Sequence, residues 1–444
     1  MAGIEGSGAT VLVVGGGFAG VACAKELAKH DVRVTLVDQN NYHQFQPMLY
    51  QVATAQVASS DVVRPLRGIF RKRRSVGVKM ATVTEVDARA KTVTCADGAA
   101  FSGDYLVLAM GSRPNFFGTP GAEAHAFPLY SLADAQRLRS RVFAVFEDAD
   151  RNPKLIDHGA LNFVIVGAGA TGVETAGSLT DLINDVMPVR FHELDTSVAR
   201  VYVIDPAPVV LAPFSERAQS YAAGVLKKKG AELLLGVKVS EVRADRVVLS
   251  DGREILTRSV VWAGGIQGSE LATKTGIAGG RGGRLDVSAD LTVDGFPGVY
   301  ALGDVANTAG PDGAPFPQLG SVALQAGTCA ARNILADIEG RPRSPFAYRD
   351  KGIMAMIGRN AAIAEMGPRR REVHGLLAFL SWLGVHAWLL DGYRERANAV
   401  RSWAWTNLSK SRAPSIIDRA DAAQIDWGLD PAESTARVTE TPSG

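Results

Sequence analysis

Two short apolar runs of the chain each lead into a glycine-rich turn and then into a helical pattern. The first run spans residues 10–14 and the second spans residues 162–166. Short runs that are apolar at nearly every position are typical of strands buried on both faces of a parallel sheet. The pattern therefore predicts an α/β protein with two units, each built on a strand, a tight turn and a helix.

The two turns share the spacing GxGxxG, with glycines at Gly15, Gly17 and Gly20 and again at Gly167, Gly169 and Gly172. Glycine at these positions permits a tight turn, close approach of a pyrophosphate to the backbone, and packing of the helix on the strand. The helix N-terminus then offers free N–H groups to the anion. If the glycines only packed helix on sheet, that would explain one copy at most. The repeated strand–turn–helix context predicts two dinucleotides bound by one chain.

A carboxylate follows the second strand of each unit. Asp38 comes after the strand-like run 33–37, and Asp205 comes after 201–204. In dinucleotide-binding folds this position accepts hydrogen bonds from ribose hydroxyls. We therefore assign Asp38 and Asp205 to the two adenosine ribose sites.

The similarity between the two halves extends beyond the glycine turns. Residues 83–86, Asp97-Gly98 and 109–111 reappear as 239–242, Asp251-Gly252 and 263–265. In each copy the pattern predicts a three-stranded β-meander with an Asp-Gly hairpin turn, followed by an apolar strand that returns to the sheet. The sequence therefore indicates an internal duplication with two Rossmann-like domains.

Composition limits the class of protein further. The chain has 444 residues, is 46% hydrophobic, and carries a net charge of +2 from 48 basic and 46 acidic residues. This length fits several domains, and the balanced charge does not indicate a nucleic-acid partner. The three cysteines, Cys23, Cys95 and Cys329, have no metal-ligand or disulfide spacing, so we predict a reducing compartment and no metal site. The first residues lack the pattern of a secretory signal, which favours the cytoplasm.

Many flavoproteins with two dinucleotide sites pass electrons through a cysteine pair soon after the first acidic residue. Here that stretch, residues 41–50, contains no cysteine. A flavin in this chain would therefore pass its electrons directly to an acceptor that touches the ring.

Residues 38–53, with Asn41, His43, Phe45-Gln46-Pro47 and the run 49–53, resemble the signature of the type II NADH dehydrogenases. These are single-subunit flavoproteins that reduce membrane quinones without pumping protons. The similarity continues through 61–69, 109–112, Glu174, 301–304 and 348–352, and covers roughly residues 9–412.

The resemblance implies the cofactors and the residues that bind them. FAD would be held by Gly15, Gly17, Gly20, Asp38, Gly111 and Asp304, with Gln46 beside the isoalloxazine. NADH would be held by Gly167, Gly169, Gly172 and Asp205. Asp205 also favours NADH over NADPH, because a carboxylate near a 2′-phosphate costs about 4 kcal/mol per unit charge at 4 Å and an effective dielectric of 20.

The resemblance further implies four catalytic residues: Glu174, Lys351, Gln325 and Gln46. Glu174 would lie near nicotinamide, flavin and quinone and deliver protons. Glu174 is expected in the first turn of the second nucleotide helix, and the alternative is that it merely complements the helix dipole there. Lys351 would stabilise negative charge on a reduced ring, or would be an ordinary solvated lysine.

The chain departs from the family at the helix on the quinone side. The family pattern Ala-Gln-x-Ala-x-Gln becomes 320–327 with Ser321 in place of the first glutamine, whereas Gln325 is retained. Gln318 is a candidate to replace the lost amide. The alternative for Gln325 is that it only binds nearby main chain.

The composition changes after residue 366. Residues 366–412 hold eight Lys/Arg against three Asp/Glu and four of the six tryptophans. Such mixing of aromatic and basic residues is typical of a membrane interface. We predict that 373–390 and an amphipathic helix over 393–411 lie on the membrane. The alternatives are packing on the protein or a homodimer contact.

These inferences predict an α/β fold with two Rossmann-like domains, β-meander insertions and C-terminal membrane-associating helices. The predicted domains are 9–120 and 298–350 for FAD, 121–297 for NADH, 351–412 for flavin lining and membrane contact, and a flexible tail over 413–444. The predicted function is a peripheral NADH:quinone oxidoreductase on the cytoplasmic face of the membrane, using menaquinone or ubiquinone. The alternatives are a reductase of a soluble carrier or dioxygen, and a non-enzymatic redox sensor.

Overall fold

The computed structural model of the protein describes residues 8–311, 313–367, 369–390, 392–409, 411–412, 414–418 and 425–427. Most of the predicted tail, 413–444, and the first seven residues lie outside these ranges.

The strands are, in chain order, β1 Thr10–Val14, β2 Arg33–Asp38, β3 Tyr42–Gln44, β4 Val63–Pro65, β5 Val76–Met80, β6 Val83–Asp87, β7 Thr92–Cys95, β8 Ala100–Ser102, β9 Tyr105–Leu108, β10 Ser112–Pro114, β11 Ala126–Pro128, β12 Asn162–Val166, β13 Arg200–Asp205, β14 Ala231–Leu235, β15 Val239–Val242, β16 Arg246–Leu249, β17 Glu254–Leu256, β18 Ser259–Trp262, β19 Ile266–Gly268, β20 Leu285–Asp286, β21 Val299–Ala301, β22 Ala306–Asn307, β23 Gly352–Gly358, β24 Ala361–Met366 and β25 Arg371–Gly375.

The α-helices are α1 Phe18–Leu27, α2 Leu49–Ala53, α3 Leu66–Ile69, α4 Ala122–His125, α5 Leu132–Arg151, α6 Ala170–Asp185, α7 Met187–Arg190, α8 Glu216–Lys228, α9 Gly320–Ile338, α10 Leu376–Leu389 and α11 Tyr393–Ser409. Short 3₁₀ turns include Gln46–Met48 and Gly303–Val305.

The first compact unit contains the first glycine turn. It comprises the residues up to Phe45, 63–115 and 266–350. Its parallel sheet has the strand order β21-β9-β1-β2-β5. The central strand β1 thus lies between β9 and β2, so that the following turn sits where the strand order reverses. Such a reversal point is where open α/β sheets bind their ligands.

The second compact unit repeats this arrangement. It comprises 46–62, 116–265 and the residues from Lys351 onward. Its parallel sheet has the order β11-β18-β12-β13-β14, with β12 between β18 and β13. The predicted pair of Rossmann-like folds is therefore confirmed.

Each unit also contains the predicted antiparallel meander, β6-β7-β8 in the first and β15-β16-β17 in the second. The hairpin turns fall at Gly98 and Gly252, whose φ angles are +83° and +87°. Residues 266–297, which the predicted domain bounds place with the second glycine turn, group with the first unit.

A three-stranded antiparallel sheet, β23-β24-β25, was not predicted from the sequence. Strand β23 packs against α6 in the second unit. The contact is close because α6 carries Gly177 there: a Cβ at this position would overlap the carbonyl oxygen of Ile357. The absence of a side chain at Gly177 therefore allows β23 to lie this close to α6.

The apolar run 373–390 is divided between two elements, since β25 continues to Gly375 and only then does α10 begin. The amphipathic helix predicted over 393–411 is α11, Tyr393–Ser409. Within the described ranges, no helix combines the length and apolar character needed to cross a bilayer.

Candidate functional site

The first glycine turn joins β1 to α1. Gly15 has a φ of +108°, and a Cβ there would overlap the carbonyl oxygen of Ala109. A Cβ on Gly20 would likewise overlap the oxygen of Gly15. Because an L side chain is excluded at both positions, the turn can close tightly only with glycine.

Gly17 differs from these two glycines. A Cβ added to it would meet none of the described atoms within 4 Å, so the space beside its backbone is open. Gly17 is also the N-cap of α1, and no acidic residue or side-chain cap occupies that end of the helix in the described structure. An open approach to uncapped N–H groups fits the pyrophosphate of a dinucleotide.

Asp38 closes β2 beside this turn. Its Oδ2 accepts from the Gly16 N–H at 2.6 Å, and its Oδ1 accepts from the Asn40 N–H at 2.7 Å. Burial raises the pKa of Asp38, whereas the two backbone hydrogen bonds lower it. A carboxylate has about four acceptor sites, so two backbone bonds leave Asp38 with capacity for ribose hydroxyls.

His43 also contacts this turn, because its Nδ1 lies 2.9 Å from the Gly16 carbonyl oxygen. Its ring also contacts Phe18 edge-on at 5.1 Å between centroids. The sequence motif contains His43 but does not reveal this contact, which fixes the backbone of the turn.

Asp304 lies in the 3₁₀ turn after β21 and lines a pocket within the first unit. Its Oδ2 accepts from the Ser112 hydroxyl at 2.9 Å, and its carbonyl accepts from Gln318 Nε2 at 3.0 Å. Burial raises the pKa of Asp304, and both the Ser112 hydrogen bond and the charge of Arg284 oppose that rise. Ser112 follows Gly111, whose φ is +68°.

Arg284 is a residue of this cavity that sequence reasoning missed. It lines the same space as Asp304 and is largely buried, and burial lowers the pKa of its guanidinium. It belongs to a glycine-rich loop without a recognisable motif, so nothing in the local sequence indicates it. A buried acid and a buried base in one cavity suit a polar, hydroxylated and anionic ligand.

The second glycine turn has the geometry of the first. Gly167 has a φ of +106°, and its Cβ would overlap the carbonyl oxygen of Ala263. Asp205 Oδ2 accepts from the Ala168 N–H at 2.6 Å, and its Oδ1 accepts from the Ala207 N–H at 2.7 Å.

The remaining two glycines of the second turn also match. A Cβ added to Gly169 would meet no described atom within 4 Å. A Cβ added to Gly172 would overlap the carbonyl oxygen of Gly167. The duplicated sequence is thus reproduced at the level of single hydrogen bonds, and both turns suit a dinucleotide.

Glu174 lies beyond the first turn of its helix, so its predicted placement in that turn is wrong, and the helix-dipole alternative loses its basis. Helix α6 begins at Ala170 and has no acid in its first turn. Glu174 is only 9% exposed, and its Oε1 accepts from the Met356 N–H of β23 at 3.1 Å. Burial raises its pKa to about 8, although the Met356 N–H and Trp382 lower it. A carboxyl with this pKa exchanges protons near neutral pH.

A buried hydrogen-bonded chain lies beside Glu174 in the second unit. The Trp403 indole donates to Gln51 Oε1 at 2.7 Å, Gln51 Nε2 donates to Tyr50 Oη at 3.0 Å, and that hydroxyl donates to Met356 Sδ at 3.4 Å. Met356 is also the residue whose N–H holds Glu174. This series of hydrogen bonds therefore connects α11 to Met356, which holds Glu174. The sequence did not indicate this connection.

The other three predicted catalytic residues occupy different surroundings. Gln46 is half-buried in the 3₁₀ turn Gln46–Met48. Lys351 is exposed at the start of β23, with its Nζ 5.8 Å from the ring centroid of Trp388.

Gln325 uses both ends of its amide on main chain. Its Nε2 donates to the Arg349 carbonyl at 3.1 Å, and its Oε1 accepts from the Arg349 N–H at 3.0 Å. This geometry favours the backbone-binding alternative. Ser321 lies 2.9 Å from the Tyr348 hydroxyl, while Gln318 is engaged by the Asp304 carbonyl.

The C-terminal helices have two distinct faces. Their buried faces include Trp382 of α10 and Trp403 of α11. Their outer faces expose large apolar side chains: Leu376, Leu377, Leu380, Val385 and Trp388 on α10, and Tyr393, Val400, Trp405 and Leu408 on α11. Exposed apolar surface of this extent marks a binding face for a membrane or a protein.

Comparisons with known proteins agree with this geometry. The family model for pyridine nucleotide-disulphide oxidoreductases matches residues 9–327. The type II NADH:quinone oxidoreductase Ndh of Mycobacterium tuberculosis is 34% identical over 422 residues, covering 92% of this chain and 90% of that protein. The type II NADH:quinone oxidoreductase of Staphylococcus saprophyticus is 29% identical over 357 residues, covering 78% and 87%.

Solved structures show the same fold. NDH2 from Plasmodium falciparum in complex with NADH superposes with a TM-score of 0.84 at 17% identity, covering 91% of this chain and 99% of that one. The sulfide:quinone oxidoreductase of Aquifex aeolicus has a TM-score of 0.71 at 18% identity, covering 91% and 96%.

Proposed function

Because the chain belongs to the pyridine nucleotide-disulphide oxidoreductases, and among them to the type II NADH:quinone oxidoreductases, we propose that it is a respiratory enzyme that oxidises NADH and reduces a membrane quinone without pumping protons. The observation that carries this proposal is the pair of glycine turns with matching hydrogen bonds. Two such turns in one chain suit one bound flavin dinucleotide and one nicotinamide dinucleotide.

FAD, when bound, accepts two electrons from NADH and passes them to the quinone. Residues of the first unit would hold it: Gly15, Gly17 and Gly20 would admit the pyrophosphate, and Asp38 would bind the adenosine ribose. Asp304, which accepts from the Ser112 hydroxyl, would accept from the ribityl hydroxyls, and Gly111 permits the bend that places Ser112 there. The fit rests on the open space at Gly17 and on the pocket that Asp304 and Arg284 line.

The second turn holds NADH through Gly167, Gly169, Gly172 and Asp205. Asp205 is fixed by two backbone N–H groups, so its carboxylate cannot swing away from an added 2′-phosphate without breaking them. This rigidity supports selection of NADH over NADPH.

Glu174 exchanges the proton that quinone reduction consumes, and its pKa of about 8 keeps it protonated at neutral pH. Lys351 would supply positive charge for a reduced flavin ring, and Gln46 would lie beside the isoalloxazine. Gln325 acts on the quinone side by fixing the main chain at Arg349, because both ends of its amide are already bonded there.

The protein binds the cytoplasmic face of the membrane through the outer faces of α10 and α11. Burial of about six large apolar side chains would contribute on the order of 10 kcal/mol before the costs of binding. The acceptor is menaquinone or ubiquinone arriving from the lipid. Any apolar surface left outside the bilayer would serve a homodimer contact.

The test is an acceptor comparison with purified holoenzyme. NADH oxidation is measured with menaquinone and ubiquinone analogues, with ferricyanide, with dioxygen and with small electron-carrier proteins. We expect turnover with a quinone to exceed the oxygen background by orders of magnitude. Quinone turnover no faster than that background, or a reduced flavin that persists in the presence of quinone, would contradict the proposal.

A further inference from the structure

Trp382 is the largest fully buried side chain of the described structure, and it projects from α10 toward the interior of the second unit. Its ring stacks on His386 at 3.7 Å between centroids and contacts Tyr50 and Trp403 edge-on at 6.3 and 6.0 Å. A side chain packed on three sides by aromatic rings has one orientation. The position of its indole N–H is therefore fixed.

That N–H is a buried donor without a hydrogen-bond partner of standard geometry among the described residues. A buried donor left unpaired is destabilising, which favours an acceptor close to it. Trp382 contacts the ring of Tyr50, the Tyr50 hydroxyl donates to Met356 Sδ, and the Met356 N–H donates to Glu174, so the indole lies in the surroundings of that carboxyl. There its N–H opposes the rise in the pKa of Glu174 that burial causes. The arrangement places this donor near a buried acid whose Oε1 already accepts from the Met356 N–H.

We propose that Trp382 is a positioning residue for Glu174. Its ring keeps water from the carboxyl, and its N–H donates a hydrogen bond to the carboxylate once the proton has left. This inference rests on the proposed role of Glu174. It assigns a second function to α10. The outer face of this helix is the proposed membrane-binding face, and its inner face sets the protonation of Glu174 through Trp382.

The surroundings of Glu174 leave this role to Trp382. Of the titratable groups nearby, Tyr50 is neutral because burial raises its pKa well above the usual value. Burial lowers the pKa of His386 to about 4, so its ring is also neutral at pH 7. Farther along α6, Asp181 is paired with Lys229. Burial and the two N–H donors, from Met356 and Trp382, therefore set the pKa of Glu174 among the described residues.

Two substitutions separate the two parts of this role. Trp382→Phe keeps an apolar ring and removes the donor, so the carboxylate loses stabilisation and the titration midpoint of Glu174 rises by about 0.5–1 pH unit. Trp382→Ala opens space beside the acid, so water enters and the midpoint falls toward 4.5. Opposite shifts are expected only if the indole both excludes water and donates.

The measurement is an infrared titration of the protonated Glu174 carboxyl in the oxidised holoenzyme, with Glu174→Gln identifying the band. The control is Trp427→Phe, which removes a different indole donor, bonded to Asp148 at 3.0 Å, and should leave the midpoint unchanged. No quinone is present, so the result is independent of whether quinone is the natural acceptor.

An unchanged or lowered Glu174 midpoint in Trp382→Phe overturns the proposal. If Trp382→Ala does not fold, the result for Trp382→Phe is sufficient to test it. Equal shifts of both variants in the same direction also overturn it, since general loosening of the structure would produce them. In the supporting case, the pH at which quinone-dependent flavin reoxidation slows moves with the midpoint in each variant.

Discussion

The acidic residues Asp38 and Asp205 occupy equivalent positions in the two units and have equivalent hydrogen bonds. Each accepts one N–H from its glycine turn and one from the residue two positions ahead. The two sites therefore differ less in how they hold a ribose than in what surrounds it. The Ser112–Asp304 pair belongs to the first unit, and the buried Glu174 belongs to the second.

We expect Asp205→Asn to reduce the preference for NADH over NADPH by roughly 10- to 100-fold, because the variant removes the charge that repels the 2′-phosphate. This change in coenzyme preference corresponds to less than the full Coulomb energy, because Asn keeps one acceptor and solvent screens the site. The measurement is kcat/KM for each coenzyme with a fixed quinone.

Asp38→Asn provides the matched control at the equivalent position. It should weaken FAD retention and leave the coenzyme preference unchanged. If Asp205→Asn alters FAD content instead of coenzyme preference, the assignment of the two turns is reversed.

Glu174→Gln should lower quinone turnover by roughly 100-fold, because the amide retains the acceptor for the Met356 N–H but cannot give up a proton. Reduction of the flavin by NADH should remain fast. Wild-type turnover should decline as the pH rises through about 8, where Glu174 loses its proton, and the residual activity of the variant should not. Stopped-flow spectra of the reductive and oxidative half-reactions test this, and equal slowing of both halves would argue against the assignment.

The same residue predicts how stability depends on pH. The pKa of Glu174 is about 8 in the folded protein against an ordinary value of 4.5. Its neutral form is the one that burial tolerates, so its contribution is complete below pH 4.5 and is lost as the pH rises through 8, by up to about 5 kcal/mol. Relative to wild type, Glu174→Gln should gain stability between pH 5 and pH 9 in urea unfolding of the holoenzyme. A constant difference between the two proteins would show that the acid is not buried.

The sequence located the glycines and acids of both turns because their chemistry depends on local spacing. It did not locate the partner of Glu174, since Met356 lies far along the chain and acts through its backbone N–H. Arg284 was missed for a similar reason: its burial results from tertiary packing in a loop without a motif. Residues whose role depends on distant contacts are not visible in local patterns.

At the scale of elements, the contact between α6 and β23 determines the position of Glu174. The strand lies close to the helix at Gly177, three residues beyond Glu174, and Met356 in the same strand binds the acid. The spacing between helix and strand therefore controls whether the hydrogen bond to Glu174 exists.

Gly177→Ala should push β23 away from α6, because its Cβ would overlap the Ile357 carbonyl oxygen. We expect a loss of stability of about 1–3 kcal/mol, typical of overpacking, together with reduced quinone turnover. Thermal unfolding followed by flavin fluorescence measures the first effect, and a steady-state assay measures the second.

Gly224→Ala in α8 is the matched control. Its Cβ would meet none of the described atoms within 4 Å, so the change should be neutral or stabilise by up to about 1 kcal/mol. Equal effects of the two substitutions would mean that the α6–β23 contact is not tight.

The strand–turn–helix elements were predictable because their apolar runs are continuous and end at glycine. The β23-β24-β25 sheet was not, because its last strand shares an apolar run with α10 and periodicity alone does not mark where one ends. Similarly, the amphipathic helix predicted over 393–411 has Trp403 buried and Val400 and Leu408 exposed. Only packing against the rest of the unit decides which apolar residues face inward.

At the scale of the whole molecule, the C-terminal helices connect an external surface to the interior. Removing them would expose Glu174 as well as delete the outer face, since Trp382 and Trp403 belong to the same helices. Loss of activity after truncation would therefore not separate membrane binding from catalysis. Substitutions confined to the outer faces are the appropriate test.

The double variant Leu377→Glu/Leu408→Glu should release the protein from vesicles containing anionic lipid while FAD stays bound and turnover with a water-soluble quinone analogue stays within about twofold. Both side chains are strongly exposed, 70% and 86%, so the change should not disturb the fold, but a charge inserted in the bilayer costs several kcal/mol. Val189→Glu, at a comparably exposed apolar position of α7, is the control that should leave sedimentation unchanged. If the double variant still sediments with vesicles as wild type does, the outer faces of α10 and α11 do not bind the membrane. Sedimentation equilibrium of both variants would then show whether those faces join two copies of the chain instead.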